Sequence, residues 1–384
     1  MIEPNMIPNL DPNPLPAPFW VFKVLLVVTF FLHIVAMNLM LGGAVMAIAA
    51  KWRAKDTSYG TQAFFDIARK LPSLLPATIT LGVAPLLFVQ VLYGQYFYTS
   101  SIIMAWPWFL ILVLITLAYY GFYYVSFRSG QQPGKSGRVM WFSAILLFIV
   151  GFMFSNNFTL SQTPSRWSDK YFSDPSGWNL NLAEPTLIPR YLHFFVAAVA
   201  VGGILLVFMA MANWKRDRAY ARLLLNLGGK TFMYATMAQM VVGLIFLVTL
   251  PRDMRMLFMG DNALATALLL VGVVGGIAAI FLMADALRKE NLRVAGYLVP
   301  GILGVVILSM SIMRDILRDA YLKPWFRPEQ FTVQTQWSVF PLFLVVFVSG
   351  VILWFVMLAR FGLLGGKRAG ARATSPDSTG AKQS

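Results

Sequence analysis

The chain keeps two histidines in 384 residues, His33 and His193, and both stand in runs apolar enough to lie inside a bilayer. An imidazole there can coordinate a metal or a haem iron, relay a proton, or hydrogen-bond a neighbouring helix. Counting about 1.5 Å of rise per residue, His33 lies ~21 Å below the start of its run at Phe19, near the membrane middle or past it. His193 lies only ~9 Å below Leu187 by the same rise. Such unequal depths argue against one shared centre and suit two redox centres that step electrons across the bilayer. A structural, hydrogen-bonded role stays open for each. No carboxylate cluster accompanies either residue, which argues against zinc or a di-iron site. The absence of cysteine excludes disulfides, thiolate metal sites and covalent haem attachment through Cys-x-x-Cys-His. Two further charges, Asp315 and Arg318, are spaced i, i+3 on one helical face, as an intrahelical ion pair would be.

The elements that must position these residues follow from composition. Hydrophobic residues make up 58% of the chain and charged residues 12%, and several runs exceed the ~20 apolar residues that cross a hydrocarbon core. The expected fold is an all-α, polytopic membrane helix bundle. Its nine spans are roughly 19–50, 72–98, 102–126, 138–162, 187–213, 229–250, 264–287, 294–318 and 334–363. Basic residues gather after the first span (Lys51, Arg53, Arg69, Lys70), the third (Arg128, Lys135, Arg138), the fifth (Lys215, Arg216, Arg218, Arg222) and the seventh (Arg288, Lys289, Arg293). The positive-inside rule makes those connections and the C-terminus cytoplasmic and the N-terminus external. The net charge of +15 therefore reports topology and contact with anionic lipid, and nucleic acid is excluded as a partner. Residues 1–18 read as a polar tail, 19–364 as the transmembrane domain, and 365–384 as a disordered cytoplasmic tail. The one sizeable outer connection, Thr163 to Thr186, carries Trp167, Tyr171, Phe172 and Trp178, which suit the headgroup level.

Four segments, in order along the chain, resemble subunit I of the cytochrome bd quinol oxidases. Leu32-His33-Ile34-Val35-Ala36-Met37-Asn38-Leu39-Met40-Leu41-Gly42 is similar to the family's first-helix segment, with the same spacing from histidine to Leu-Gly. Asn157-Phe158-Thr159-Leu160-Ser161-Gln162-Thr163-Pro164 is similar to the Asn-Gly-Trp-Met-Gln-x-Pro at the outer end of the fourth helix, one residue longer here. Arg190-Tyr191-Leu192-His193, with Gly202 nine residues on, looks like the fifth-helix segment that bears the low-spin haem ligand. Asp315-Ile316-Leu317-Arg318 resembles the Glu-x-x-Arg of the eighth helix, with the associated Gly-Arg-Gln-Pro-Trp reduced to Lys323-Pro324-Trp325.

The resemblance implies one or two b-type haems or more, quinol as substrate, and a bacterial cytoplasmic membrane. It makes His33 and His193 axial ligands and points to a methionine on the sixth helix, for which Met240 fits the depth of His193 better than Met237. Met240 stands one residue farther from Gly243 than the family's methionine, and the neighbouring arginine is Gln239 here. The same resemblance brings Asp315 towards an iron, and Arg318, Arg314, Arg190 and Tyr191 towards haem propionates. A quinol is expected near Trp167, Asn157, Gln162 and Arg252. Two departures bear on function. The family's long quinol-binding loop shrinks to Pro251 to Ala263, and Ile102 to Phe127 contains no acid where the family carries proton-delivering glutamates. The expectation is thus a bd-like haem protein moving electrons between the quinone pool and a partner, which would be a second membrane subunit, a periplasmic cytochrome or an iron–sulfur subunit. A true quinol oxidase reducing oxygen, and a haem-free transporter or scaffold, are the alternatives.

Overall fold

A computed structural model describes residues 8, 13–53, 58–128 and 133–361. The tail at 365–384 and most of the tail at 1–18 lie outside the described residues. Twelve α-helices follow in order: α1 (Phe19–Arg53), α2 (Ser58–Ala68), α3 (Leu71–Ile103), α4 (Ala105–Phe127), α5 (Pro133–Ser161), α6 (Trp167–Ser173), α7 (Leu187–Asn213), α8 (Arg218–Thr249), α9 (Arg252–Met256), α10 (Ala263–Lys289), α11 (Val299–Leu322) and α12 (Val339–Phe361). Among the described residues eight helices, α1, α3, α4, α5, α7, α8, α10 and α11, are long and apolar enough to cross a membrane. The fold is an all-α polytopic bundle, as expected. The ninth expected run is helical as α12, but its described apolar stretch, Val339–Leu353, is shorter than the rest. The chain divides into two units, Met1–Gln334 and Thr335–Ser384, and α12 belongs to the second.

Within the first unit α7 is the central helix. In its most apolar window 61% of residues are buried, against 17% to 22% in α8, α10 and α11. Small residues let its neighbours approach at backbone distance. A Cβ on Gly202 would stand 2.6 Å from the Gly42 carbonyl carbon of α1, and one on Gly203 would stand 2.5 Å from the Gly228 carbonyl oxygen of α8. In lipid, where apolar surface gives no net drive to associate, such contacts hold helices together by dispersion. Hydroxyls inside the bundle satisfy themselves on the preceding turn, as Thr29 does on the Leu25 carbonyl at 2.6 Å and Thr236 on the Phe232 carbonyl at 2.7 Å.

Several boundaries differ from the sequence expectation for identifiable reasons. α8 begins at Arg218 rather than 229 because the Asp217 carboxylate caps it, accepting the Tyr220 amide at 3.0 Å. Its first turns project beyond the apolar run, and both Arg218 and Arg222 bind Glu290. Those two guanidiniums, Arg222 first, hold the Glu290 carboxyl below its usual range. The connection at 51–70 contains the amphipathic α2, which buries Ala63, Phe64, Phe65 and Ile67. The connection at 163–186 contains α6. There Trp167 is buried, donating to the Leu160 carbonyl at 2.9 Å, whereas Tyr171, Phe172 and Trp178 are exposed.

α3 departs from regular geometry along its length. Pro76 and Pro85 lie inside it, and Tyr93 leaves helical geometry at φ −136°, ψ 27°. The Tyr93 ring is turned into the bundle, 2% exposed.

Candidate functional site

His33 projects from α1 onto α3. Its Nδ1 lies 3.0 Å from the Thr78 carbonyl oxygen. A carbonyl can only accept, so Nδ1 donates its proton and the lone pair of the neutral ring falls on Nε2. This is the outer hydrogen bond that orients a ligating histidine and raises its basicity. The ring lies flat enough against Gly82 that a Cβ there would stand 2.8 Å from Cε1. A side chain one turn beyond Thr78 would push the imidazole away.

His193 repeats part of the arrangement between α7 and α8. Its ring is seated on Gly243, where a Cβ would meet Cε1 at 3.2 Å, and its Nδ1 is buried without a hydrogen-bond partner. The Phe246 ring lies 6.3 Å away, centroid to centroid. Met240 stands on α8 one turn from Gly243, with its methyl group packed on Gly276 of α10. Met237 is exposed on the outside of α8.

Beside the imidazoles lies a group of guanidiniums, of which Arg190 and Arg318 are buried and Arg314 is half-buried. Arg314 is held between the Phe30 and Phe158 rings, 4.1 and 4.5 Å from their centroids. It is within electrostatic range of both His33 and Arg190. Arg190 donates to the Gln162 side-chain oxygen at 3.0 Å and lies over the Phe246 ring at 5.3 Å. Among the described residues no carboxylate is within ion-pair distance of Arg190 or Arg314. Arg318 is paired with Asp315, as the i, i+3 spacing predicts, and lies 4.0 Å over the Tyr93 ring. Asp315 also accepts Lys23 at 3.2 Å; Lys23 in turn binds Asp319, which takes the Tyr93 hydroxyl at 2.5 Å. Donors remain unmatched: Arg190 Nε and Arg318 Nε and Nη1 are buried without partners. Each such group costs about 1–3 kcal/mol unless something accepts from it.

The structure therefore gathers Arg190 of α7 with Arg314, Asp315 and Arg318 of α11, and His33 lies within electrostatic range of Arg314. Other sequence candidates are occupied elsewhere. The Asn157 amide is spent on α3, donating to Ser101 at 3.0 Å and accepting from Ser100 at 3.3 Å. The Tyr191 hydroxyl donates to the Phe148 carbonyl at 3.0 Å, and Arg252 is exposed at the start of α9. Sequence reasoning passed over Lys23, Tyr93, Asp319, Thr78, Gly82, Glu184 and Tyr321. Lys23 alone left a signal, being a lone charge inside the first apolar run. The short connection after α8 is ordered rather than an open loop. Phe258 packs there with Leu250, Ala265 and Leu317, and Tyr321 lies against them.

No protein-family model and no curated protein matches this sequence. Among solved structures, the chain is similar to the bd oxidase from Geobacillus thermodenitrificans, with a TM-score of 0.69 over 90% of this chain and 98% of that chain, at 14% sequence identity. At that identity the likeness shows the fold alone: this is a multi-pass membrane protein with the helix arrangement of a bd oxidase subunit.

Proposed function

We propose that the chain is a b-type haem protein of the bacterial cytoplasmic membrane, N-terminus outside, that carries electrons between the quinone pool and a partner redox protein. One observation carries the reading. His33 and His193 stand near a group of guanidiniums, two of which, Arg190 and Arg318, are buried with N–H groups that lack acceptors, and such donors suit the two carboxylates of an iron porphyrin. When bound, haem supplies a one-electron couple in a medium where no side chain of this chain can.

The residues' own parts follow from their contacts. His33 offers Nε2, because Thr78 holds the proton on Nδ1. His193, backed by Gly243, would offer an imidazole to haem iron, and Met240, packed on Gly276, would be the candidate thioether ligand on α8. Arg314, Arg318 and Arg190 neutralise carboxylates, and Asp315 with Lys23 fixes Arg318 for that contact. Phe30, Phe158 and Phe246 keep water from the guanidiniums and strengthen their pull on an anion. A second membrane subunit, a periplasmic cytochrome or an iron–sulfur subunit is the proposed partner. Oxygen reduction is left out of the proposal: α4 has no acid to deliver protons, and the connection between α8 and α10 is short and packed. A haem-free scaffold would account for the His33–Thr78 bond but leaves the buried, unmatched donors of Arg190 and Arg318 without a reason. The test is anaerobic addition of a short-chain hydroquinone to the purified chain. Growth of reduced b-type bands supports the proposal, and a spectrum with no haem, or one that hydroquinone leaves oxidised, sinks it.

A further inference from the structure

A groove runs along one side of α5 between α1 and α7. Its walls include Val45 of α1, Trp141, Ile145, Ile149 and Phe152 of α5, and Phe195 of α7, and its volume is about 420 Å³. Trp141, Ile145 and Ile149 are 39%, 49% and 38% exposed, so the groove opens to the bilayer. Its floor is stiff. The Phe148 and Phe195 rings pack at 4.5 Å and the Phe152 and Tyr191 rings at 5.2 Å, centroid to centroid. The hydroxyl on the lining, that of Tyr191, is spent on the Phe148 carbonyl. The two ends differ. At the end where basic residues gather, the Trp52 and Trp141 rings meet at 5.5 Å, with Arg53 next to Trp52 and Arg138 one turn before Trp141 on the same face of α5. Both arginines are exposed, and among the described residues no carboxylate is within ion-pair distance of either. The other end closes on Phe152 and Tyr191.

Size and charge choose the occupant. From Trp141 to Phe152 the helix rises ~16 Å, about half of the ~30 Å hydrocarbon core and so the depth of one leaflet. Spread over that length, the groove has a section of about 25 Å², which takes one hydrocarbon chain and is too narrow for a helix ~10–12 Å across. An isoprenoid tail would thread it equally well, but a quinone head is neutral and would leave the two arginines without a counter-ion. A phosphate suits both, and the paired indoles then lie at the membrane interface, where tryptophan is favoured. We infer that the groove is a specific site for one anionic phospholipid, an acyl chain lying along α5 and the phosphate against Arg138 and Arg53. The bound lipid touches both α1 and α7, the helices that carry His33 and His193.

The test titrates the purified full chain in detergent with phosphatidylglycerol or phosphatidylcholine of identical acyl chains and reads the affinity of the first bound lipid by native mass spectrometry. Phosphatidylglycerol is expected to fill a single first site roughly 5-fold or more tighter than phosphatidylcholine, and Arg138→Gln to weaken it by roughly 5-fold, the share of one basic residue against anionic lipid, with phosphatidylcholine unchanged. Ile145→Trp, which fills the groove from its exposed side, should abolish the first site for both lipids while the helical circular dichroism stays that of the wild type. Arg288→Gln, whose guanidinium is already bonded to Asp285 at 2.7 Å, should change neither affinity. Equal affinity for the two lipids, wild-type affinity in Arg138→Gln, or a first site that survives Ile145→Trp overturns the inference. So does a co-purified isoprenoid quinone that Ile145→Trp removes and phosphatidylglycerol fails to displace. None of these outcomes depends on haem, so the electron-carrying reading stands or falls separately.

Discussion

Replacing Gly82 by alanine should remove haem from the His33 position without weakening the bundle. The added methyl would stand 2.8 Å from His33 Cε1 and 2.9 Å from Nδ1, where non-bonded carbons settle at about 3.5–4.0 Å. The ring must therefore retreat from α3 by about 0.7 Å. Thr78 and Gly82 occupy one face of that helix, so the retreat also stretches the 3.0 Å bond from Nδ1 to the Thr78 carbonyl past the ~2.7–3.2 Å range of an N–H···O bond. That bond is worth about 0.5–1.5 kcal/mol, and losing an outer partner of a ligating histidine typically costs ~10–100-fold in affinity for the metal. Alanine meanwhile favours the helix over glycine by about 0.8–1.0 kcal/mol. Melting should therefore hold while haem falls. Gly243→Ala is the matched comparison: its methyl would stand 3.2 Å from His193 Cε1, so the ring need yield only a few tenths of an ångström, and haem retention should stay near the wild type. Haem-to-protein ratios and reduced-minus-oxidised spectra of the two variants decide it. Full haem occupancy in Gly82→Ala, or a larger loss in Gly243→Ala, would refute the reasoning.

Gly202→Ala should lower the melting temperature, because its Cβ would meet the Gly42 backbone at 2.5 to 2.7 Å and no rotamer relieves a backbone contact; about 1–3 kcal/mol is expected from overpacking, and an unchanged melt in detergent would contradict it. Asp315→Asn leaves Arg318 buried beside Tyr93; removing one partner of a buried pair costs about 3–5 kcal/mol, and less here because the side chain of Lys23 is 20% exposed. Pairing it with Arg318→Gln should recover part of the loss, and a double variant no more stable than the single one would argue against the pair. Glu290, drawn below its usual range by Arg222 and Arg218, adds stability that is complete above the ordinary glutamate value of about 4.3 and is lost as pH falls through its lower folded value. Melting curves of the wild type should therefore drop on acidification through that window more than those of Glu290→Gln, and parallel curves would show that the pair contributes nothing.

The imidazoles were legible because a histidine in an apolar run is conspicuous and depth can be counted along a helix. The Asp315–Arg318 pair was legible because three residues bring two side chains to one face. What completes the site was not, because it depends on which helices touch. Lys23 and Asp319 are 296 residues apart, and nothing local to Thr78 or Gly82 says that His33 lies against them. The helices missed, α2, α6 and α9, are short, and local periodicity is weakest there. Which of the four aromatics in the connection at 163–186 packs inward was not legible either: Trp167 is buried on the Leu160 carbonyl at the end of α5, a contact only the fold supplies.

The most direct measurement is haem stoichiometry with the reduced-minus-oxidised spectrum for the wild type, His33→Ala, His193→Ala and the double variant, each checked for folding. The account predicts b-type bands in the wild type, a separable portion lost with each histidine, and none in the double variant. Bands that survive in full without both imidazoles, or a folded wild type that carries no haem, would contradict it.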